Sequence, residues 1–330
     1  MKAPDFWWGK PGVAAALLQP VAAIYGAIAG ARLARRGARA SVPVLCVGNP
    51  TVGGAGKTPT ALMLARMLIE AGERPVFLTR GYGGALAGPI WVEGQSAQEV
   101  GDEPRLLARV APTVLARDRA AGATLAATRA SVIIMDDGFQ NPSLTKDLSI
   151  LVIDGRRGLG NGRVFPAGPL RAPLAAQLDR AQAILIIGEI SGAAPVVIAA
   201  RARGLPLFHG RLTPDPAAVL TLKDQRVLAF AGIGDPEKFF ATLEAAGIAV
   251  AARRSFADHH RFTGSEAAAL IADATRDGLR LVTTEKDLAR CAGDPALAEL
   301  AARALPLRVT LTIDEVEEFR ALVRRALTLR

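Results

Sequence analysis

Short runs of consecutive apolar residues, rich in Val, Ile and Leu, recur along the chain from residue 41 onward. The runs are continuous rather than alternating, so they predict strands that are buried on both faces. Segments of helical or irregular pattern separate them, and this order is typical of a largely parallel sheet covered by helices. The predicted strands of this first unit are residues 41–48, 74–80, 131–137, 148–154 and 183–188.

A second α/β pattern begins near Leu220. The sequence there predicts a strand, a helix, a strand that ends in a turn, and a closing amphipathic helix. Residues 209–225, which include Pro214 and Pro216, predict a linker between the two units. The predicted elements of the second unit are residues 227–234, 236–247, 280–287 and 314–329.

The first 39 residues differ from the rest of the chain. Residues 11–31 carry no charged side chain, but they are mostly Ala and Gly, and Gln19-Pro20 interrupts them. The stretch is long enough to span a bilayer, yet its composition contributes little transfer free energy, so we favour an interfacial helix on a membrane surface. A soluble helix packed on the core is the alternative. The basic residues of this leader, set against Asp5 alone, are Lys2, Lys10, Arg32, Arg35, Arg36 and Arg39.

Composition narrows the class of protein. Half of the 330 residues are apolar and 22% are charged, which excludes intrinsic disorder. Two cysteines, Cys46 and Cys291, exclude a disulfide scaffold and are too few for a structural zinc site. Aromatic residues make up only 5% of the chain, so few side chains are available to stack on the bases of a nucleic acid. The formal charge of +9 indicates phosphate-rich ligands or an anionic membrane surface as partner, and no obligate protein partner is indicated.

A Gly-rich segment lies between the first predicted strand and a predicted helix over residues 59–72. In such a turn, small residues let backbone N–H groups wrap phosphates, and the helix N-terminus adds partial positive charge. Lys57 is placed to reach the β- and γ-phosphate oxygens, and Thr58 is placed to hold Mg²⁺. An ordinary Gly-rich turn would not need Lys-Thr at the helix start. The predicted nucleotide-binding residues are Thr51, Val52, Gly53, Gly54, Ala55, Gly56, Lys57, Thr58, Pro59 and Thr60.

The loop departs from the strict phosphate-loop consensus at two positions. Thr51 stands where the strict pattern has Gly, so the match is to a GGxGKT variant. Val52 stands where that variant often has a signature Lys.

A buried strand ends in two adjacent carboxylates, Asp136 and Asp137. A carboxylate at a strand end beside a phosphate loop is placed to bind Mg²⁺ directly or through water. Because adjacent acids repel each other unless a cation is near, we predict a metal site formed by Thr58, Asp136 and Asp137. An ordinary Asp-Asp-Gly turn is the alternative.

Taken in order, a set of motifs resembles the tetraacyldisaccharide 4'-kinase family over nearly the whole chain. The motifs are GNPTVGGAGKTP, TRGYGG, GDEP, DDGFQ, GNGRVFPAGPLR, AFAGIGDPEKFF, FADHHRFT and TTEKD. The resemblance implies transfer of the γ-phosphoryl group of ATP to the 4'-hydroxyl of an acylated glucosamine disaccharide 1-phosphate, giving lipid IV_A. It also implies Mg²⁺, and a peripheral or monotopic location at the cytoplasmic face of the inner membrane of Gram-negative bacteria.

The resemblance also implies an α/β fold of P-loop NTPase type. We expect a Rossmann-like, mostly parallel sheet, a smaller C-terminal α/β domain that closes the active-site cleft, and an N-terminal membrane-associated helix. The predicted bounds are residues 1–39 for the helix, 40–220 for the kinase domain and 221–330 for the smaller domain.

By the same resemblance, Asp102 in GDEP is the base that activates the acceptor hydroxyl. A helix-capping Asp is the alternative at this position. Of the two adjacent histidines, we prefer His259 as the residue that supports the base, with His260 as the alternative and as a substrate contact. Lys57 completes the predicted catalytic set. The remaining predicted substrate-binding residues are Arg80, Tyr82 and Arg171.

The chain departs from the family pattern at two further positions. Asn141 stands where the family commonly has His, and Ala172 stands where it commonly has Glu. The loss of that carboxylate argues against a role for position 172 in metal or nucleotide contact, while Arg171 remains available to stabilise phosphate charge.

Two other functions are compatible with the phosphate loop. One is an ATPase switch of the GGxGKT type. Val52 argues against this function, because that type often has a signature Lys at this position. The other is a kinase or ligase of soluble metabolism, for which the basic apolar leader is the adverse feature. An ATPase assay with and without lipid A disaccharide 1-phosphate separates all three functions.

Overall fold

The structure, a computed structural model, describes residues 3–328. Lys2 of the leader, and the outermost residues of the first and last predicted domains, lie outside the described residues. Within this range, thirteen strands form two sheets. The strands are β1 Val44–Gly48, β2 Pro75–Thr79, β3 Ile90–Trp91, β4 Thr113–Leu115, β5 Val132–Asp136, β6 Leu148–Asp154, β7 Ala183–Ile187, β8 Leu207–Pro214, β9 Arg226–Ala231, β10 Ala249–Ser255, β11 Arg280–Thr284, β12 Leu305–Leu307 and β13 Val309–Ile313.

Helices connect these strands, and two short 3₁₀ turns cover Asp5–Trp7 and Pro295–Leu297. The helices are α1 Val13–Leu17, α2 Gln19–Leu33, α3 Lys57–Glu70, α4 Ala97–Val100, α5 Asp102–Leu107, α6 Arg119–Ala127, α7 Leu174–Leu178, α8 Ala194–Arg201, α9 Pro216–Leu222, α10 Pro236–Ala245, α11 Gly264–Arg276, α12 Glu285–Cys291, α13 Ala298–Arg303 and α14 Val316–Thr328.

The larger sheet contains nine strands in the order β13-β8-β7-β6-β1-β5-β2-β4-β3. The seven strands from β8 to β4 pair in parallel, and only the edge strands β3 and β13 are antiparallel to their neighbours. The predicted mixed α/β fold with a mostly parallel sheet is therefore confirmed. Because β1 lies between β5 and β6, the loops that follow these three strands meet at one edge of the sheet, where α/β proteins bind ligands.

The continuous apolar strands explain why helices cover both faces of this sheet. All five residues of β1 are buried, and so are all five of β5 and all seven of β6. One face packs against α3 and α14, and the other packs against α2, α6, α7 and α8. We call this sheet with its helices the larger unit.

The smaller unit is a four-stranded parallel sheet in the order β10-β9-β11-β12. Its two faces carry separate apolar clusters, one containing Phe230 and the other containing Phe240. The predicted strand and helix at residues 227–234 and 236–247 are confirmed as β9 and α10.

The chain differs from the predicted division at two places. Residues 209–225, expected to be a linker, form the end of β8 and the helix α9. The last strand, β13, returns to pair with β8 of the larger sheet, and α14 packs on that sheet beside α3. Residues 309–328 thus belong to the larger unit, because β8 presents an open edge that β13 completes.

A further difference concerns residues 280–287, predicted to be a strand and a turn. The strand is β11, but the expected turn is the first turn of α12, with the Thr284 hydroxyl accepting a hydrogen bond from the Asp287 N–H at 3.2 Å. This cap starts a helix that carries its polar residues into the interface between the two units.

The leader forms two helices, α1 and α2, that pack against the larger unit. Ala15, Ala22, Gly26 and Leu33 are buried on one side. None of the helices in residues 3–328 has both the length and the apolar character required to cross a bilayer.

The position of α14 generates a stability prediction. Phe319 is fully buried and its ring meets that of Phe208 edge-on, with centroids 5.1 Å apart. Replacing Phe319 with Ala should lower the free energy of unfolding by about 3–5 kcal/mol, since a large cavity opens in the core. Urea unfolding measures this change. Leu220→Ala on the exposed side of α9 is the control, expected within about 0.5 kcal/mol of wild type. A loss below about 1 kcal/mol in Phe319→Ala would contradict the packing.

Candidate active site

The Gly-rich loop predicted to bind phosphate connects β1 to α3 and lies at the ligand-binding edge of the larger sheet. Gly56 precedes the helix with a φ of 94°, a conformation that favours glycine, and an added Cβ would meet Ile187 Cδ1 at 2.5 Å. Lys57 and Thr58 occupy the first turn of α3 and are buried. Backbone N–H groups and the positive end of α3 therefore converge with Lys57 on one place.

Asn49, which the sequence analysis did not single out, holds this loop in shape. Its amide Nδ2 donates to the carbonyl of Gly53 at 3.1 Å, and its Oδ1 accepts from Lys57 Nζ at 3.1 Å. Asn49 is fully buried at the end of β1. The signal that could have found it is its place directly after a buried strand and ahead of the Gly-rich segment, where a polar side chain needs a partner.

Asp136 and Asp137 stand beside this loop but differ in their surroundings. Asp137 Oδ1 accepts from Arg171 Nη1 at 2.8 Å, and its Oδ2 lies 3.7 Å from Lys57 Nζ. Asp136 is the last residue of β5 and pairs in register with Val47 of β1. Among residues 3–328, its two buried carboxylate oxygens have no hydrogen-bond partner.

The pKa values of the two carboxyls move in opposite directions. Burial is the main cause that raises the pKa of Asp136 to about 7, and the charges of Glu103 and Asp137 add to it. Burial also acts on Asp137, but the charges of Lys57 and Arg171 outweigh it and lower its pKa to about 2. The pKa of Lys57 is lowered, chiefly by burial, although Asp137 opposes the shift.

The residues present fit a Mg²⁺ ion. The two buried, unpartnered oxygens of Asp136 and the buried Thr58 hydroxyl in the first turn of α3 are ligands of the kind that a hard divalent cation prefers. Asp137 is less free to serve, because Arg171 already occupies it. Within the described residues, no three side chains of His, Cys, Asp or Glu are grouped to hold a metal. Such a sparse donor set suits Mg²⁺, which keeps waters and substrate phosphates as further ligands.

Asp102 begins α5 and lies in the interface between the two units. Gly101 before it has a φ of 91°, and an added Cβ there would meet the Tyr82 carbonyl at 2.6 Å. Gly101 occupies the N-cap position of α5, and Asp102 is the first helical residue. Its Oδ2 accepts from Arg290 of α12, at 2.8 Å from Nε and 2.6 Å from Nη2. The capping alternative for Asp102 is therefore wrong.

His259 lies beside the other oxygen of the Asp102 carboxylate, Oδ1. Its Nδ1 lies 3.4 Å from Asp102 Oδ1, and its backbone has a φ of 56°. Burial tends to lower the pKa of His259, but the hydrogen bond and charge of Asp102 outweigh this and raise it. Burial tends to raise the pKa of Asp102, and the hydrogen bond from His259 and the charge of Arg290 hold it well below its usual range.

The other predicted substrate residues divide into two groups. The Tyr82 ring lies beside His259, with centroids 4.9 Å apart, and Arg171 bridges Asp137 and the Thr51 carbonyl. His260 instead stacks on Phe256, and its Nε2 lies 3.0 Å from both carboxylate oxygens of Glu266. Arg80 is exposed after β2.

The two departures from the family pattern have plain local roles. Asn141 Oδ1 accepts from the backbone N–H and the hydroxyl of Ser143, which closes a turn. Ala172 is fully buried in the core.

The smaller unit supplies further charged groups that the sequence analysis missed. Lys286 of α12 donates to Glu103 Oε1 at 2.5 Å. Burial tends to lower the pKa of Lys286, but the charges of Glu103 and Asp102 outweigh burial and raise this pKa. The turn after β9 also reaches the phosphate loop, since a Cβ on Gly234 would lie 3.2 Å from the Gly54 nitrogen. An open cleft between the units is lined by residues that include Tyr82, Asp102, His259, Arg261 and Arg290.

Comparisons with known proteins find similar chains over nearly the whole length. The family model described as Tetraacyldisaccharide-1-P 4'-kinase matches residues 14–328. The chain is 57% identical to the tetraacyldisaccharide 4'-kinase of Rhodopseudomonas palustris (strain BisA53), over 98% of this chain and 95% of that one. It is 55% identical to the enzyme of the same name from Methylobacterium sp. (strain 4-46), over 97% of this chain and 96% of that one. Among solved structures, it is similar to LpxK from Aquifex aeolicus in complex with ATP, at 28% identity and a TM-score of 0.73, covering 95% of this chain and 99% of that chain.

The opposite environments of Asp136 and Asp137 generate a prediction on stability without metal. A carboxyl whose pKa is raised on folding stabilises the protein fully below its ordinary pKa of 3.8, and that contribution is lost as pH rises through about 7. In EDTA at about pH 8, Asp136→Asn should therefore raise the free energy of unfolding, and the gain should vanish near pH 4.

Asp137→Asn is the matched control, with the opposite sign. Its pKa is lowered to about 2, so its contribution is present at neutral pH and is lost only as pH falls through about 2. The Asn variant should therefore be less stable than wild type at about pH 8. Urea unfolding over a pH series measures both. A destabilising Asp136→Asn at high pH would contradict the assignment of an unpaired buried charge.

Proposed function

The chain belongs to the tetraacyldisaccharide-1-P 4'-kinase family, and on that premise we propose how its own residues bind ATP and activate the acceptor hydroxyl. The enzyme is a kinase of lipid A biosynthesis that phosphorylates the 4' position of its disaccharide substrate, with ATP as phosphoryl donor. Family membership sets aside both the ATPase switch and the kinase of soluble metabolism.

The phosphate groups of ATP bind in the loop between β1 and α3. Lys57, held by Asn49 at 3.1 Å, neutralises charge on the transferred phosphoryl group, and Arg171 beside Asp137 adds a second cation. Thr58 and Asp136 would hold Mg²⁺, which would supply positive charge that offsets the charge of the phosphate groups. The observation that carries this assignment is the pair of buried, unpartnered Asp136 oxygens next to the loop.

Acceptor activation falls to Asp102 and His259. A sugar hydroxyl is a weak nucleophile, so phosphoryl transfer benefits from a positioned proton acceptor. The two side chains lie 3.4 Å apart at the cleft, one from α5 of the larger unit and one from the loop after β10 of the smaller unit. The pair is therefore complete only where the two units meet. Tyr82 and Arg261 line the same cleft and contact the sugar or phosphate of the acceptor.

The leader attaches the enzyme to the cytoplasmic face of the inner membrane. Of the fourteen large apolar side chains exposed in the described residues, six lie between residues 13 and 28. Five of them are spaced three or four residues apart and form one side of the leader helices, which we call the apolar leader face. Arginines follow it and face lipid headgroups. The apolar leader face consists of Val13, Leu17, Val21, Ile24 and Ile28.

The pairing of Asp102 with His259 generates a test on activity. Asp102→Asn keeps the shape of the side chain but removes its charge, so kcat should fall by about 10²- to 10⁴-fold, the usual contribution of a positioned base. The KM for ATP should stay near wild type, because the phosphate loop is untouched. Transfer of labelled γ-phosphate from ATP to the tetraacyl disaccharide 1-phosphate, separated by thin-layer chromatography, measures both.

The matched control for this variant is Asp118→Asn, which replaces an Asp that does cap a helix. The Asp118 carboxylate accepts from the N–H groups of Ala120 and Ala121 at 2.9 and 3.2 Å. Because Asn caps helices about as well as Asp, this variant should keep full activity. Full activity in Asp102→Asn would remove the pair from the mechanism.

The apolar leader face generates a test on membrane binding. The triple variant Leu17→Ser, Ile24→Ser, Ile28→Ser should bind anionic vesicles at least about 10²-fold more weakly, since each apolar side chain contributes roughly 1.5–3 kcal/mol on burial. Co-sedimentation with phosphatidylglycerol vesicles measures the change. Ile198→Ser is the control, because Ile198 is 70% exposed on α8 and lies outside the leader. Equal binding by the triple variant and wild type would exclude the leader as the anchor.

A further inference from the structure

Gln177 of α7 is a fully buried polar side chain whose amide makes three hydrogen bonds. Its Nε2 donates to the Pro50 carbonyl at 3.2 Å and to the Ala172 carbonyl at 2.8 Å. Its Oε1 accepts from Gln140 Nε2 at 3.0 Å. Both donors and the oxygen of this amide therefore have partners, so the side chain has one favoured orientation.

Gln140, in the loop after β5, continues this network toward the predicted phosphate site. Its Nε2 also donates to the Asn49 carbonyl at 2.9 Å, and its Oε1 accepts from Arg171 Nη1 at 3.4 Å. A reversed Gln140 amide would point its N–H groups at the guanidinium, so Arg171 and Gln177 together select one orientation. We call the two side chains Gln140 and Gln177 the glutamine clasp.

The clasp binds the chain where it enters the phosphate loop. The carbonyls of residues 49 and 50 accept from the clasp, and the carbonyl of residue 51 accepts from Arg171 Nε at 2.9 Å. A loop can surround phosphate with its N–H groups only if its carbonyls point elsewhere and find donors there. The clasp supplies these donors, so it fixes the direction in which residues 49–51 lead into the loop.

The clasp also restricts the Arg171 guanidinium. Besides Gln140 Oε1 and the Thr51 carbonyl, the guanidinium binds Asp137 Oδ1 at 2.8 Å. The Arg171 side chain is 24% exposed, so part of it remains open to a ligand. A planar guanidinium held by several acceptors at once keeps a single orientation, which a loss of the Gln140 oxygen would relax.

On the proposed function, we propose that Gln140 and Gln177 are positioning residues for ATP: they hold the entry of the phosphate loop and the Arg171 guanidinium in the arrangement that binds the triphosphate. In this role they act through the loop and through Arg171, with no part in proton transfer. Because the loop is ordered before ATP arrives, binding does not have to supply the free energy of ordering it.

The first test measures ATP affinity without the lipid acceptor. Gln177→Met keeps the length of the side chain but removes its hydrogen bonds, so the Ala172 carbonyl and one N–H of Gln140 lose their partner. The Kd for ATP with Mg²⁺, measured by isothermal titration calorimetry, should rise about 10-fold, the change expected for one lost buried hydrogen bond. An unchanged Kd would overturn the proposal.

Steady-state kinetics distinguish positioning from a general structural role. In Gln177→Met the KM for ATP should rise with the Kd, while the KM for the tetraacyl disaccharide 1-phosphate should stay near wild type. A general loosening of the larger unit would raise both constants together, and that result would reduce Gln177 to a structural residue.

Gln140→Met tests the other half of the clasp and keeps the proposal testable even if Gln177→Met does not fold, because Gln140 is only half-buried. It removes the donor to the Asn49 carbonyl and the acceptor of Arg171, so the Kd for ATP should rise at least as far as in Gln177→Met. The double variant should be little worse than Gln140→Met alone, since the two side chains act through one network. Effects that multiply in full would show independent contributions and overturn the clasp.

The matched control is Gln182→Met, the same substitution at a glutamine that does not contact the loop. Gln182 Oε1 accepts from the Ser149 N–H at 2.8 Å, near the start of β6 and therefore at the other end of that strand from the ligand-binding edge. Its Kd for ATP should equal that of wild type. A rise as large as in Gln177→Met would show that loss of any amide in this region weakens ATP binding, and would overturn the proposal.

Lys57→Ala separates a failure of this inference from a failure of the proposed function. Lys57 is buried in the first turn of α3 and belongs to the phosphate loop itself, so its loss should weaken ATP binding more than either Met variant does. Wild-type ATP affinity in Lys57→Ala would overturn the proposed function. Weak binding in Lys57→Ala with wild-type affinity in both Met variants would overturn only the role of the clasp.

Discussion

The buried ion pair between Asp102 and Arg290 is the interaction on which the active site depends. Burying a carboxylate and a guanidinium costs several kcal/mol of desolvation for each, and only close, fully hydrogen-bonded contact offsets it. Here the two side chains are 4% and 8% exposed and meet at 2.6 Å. Because one partner comes from each unit, separating the units would leave both charges buried without a counterion or newly exposed to water. The pair therefore selects the arrangement in which His259 stands beside Asp102.

A second group of ion pairs joins the units around Asp154, at the end of β6, and Asp235, in the turn after β9. Lys238 of α10 donates to Asp154 at the end of β6, at 2.6 Å, and Asp235 is paired with Arg156 and with Arg157, the latter at 3.0 Å. Asp235 lies in the same turn as Gly234, which approaches the loop. Ion pairs thus join the two units in two groups, one at Asp102 and Glu103 of α5 and one at the turn after β9.

The sequence predicted what depends on local pattern and missed what depends on distant contacts. The strands, the phosphate loop and the paired Asp136 and Asp137 were predictable, because continuous apolar runs and Gly-Lys-Thr spacing are properties of neighbouring residues. The return of β13 and α14 to the larger sheet was not predictable. It depends on the open edge of β8, which lies some 100 residues earlier in the chain. Arg290 was missed for the same reason, because its partner Asp102 is 188 residues away in the chain.

The segment of residues 165–171 contacts both the leader and the phosphate loop, and these contacts fix the spacing between the two. On its outer side, Trp7 Nε1 donates to the Pro166 carbonyl at 3.0 Å, and Phe165 contacts the Tyr25 ring. On its inner side, the Val52 N–H donates to the Pro169 carbonyl at 2.7 Å, and Arg171 reaches Asp137. The residues that carry the apolar leader face and those that shape the predicted phosphate loop therefore contact the same segment. On the membrane attachment proposed above, the element that binds the membrane and the loop that binds phosphate are joined by direct hydrogen bonds and ring contacts of this segment.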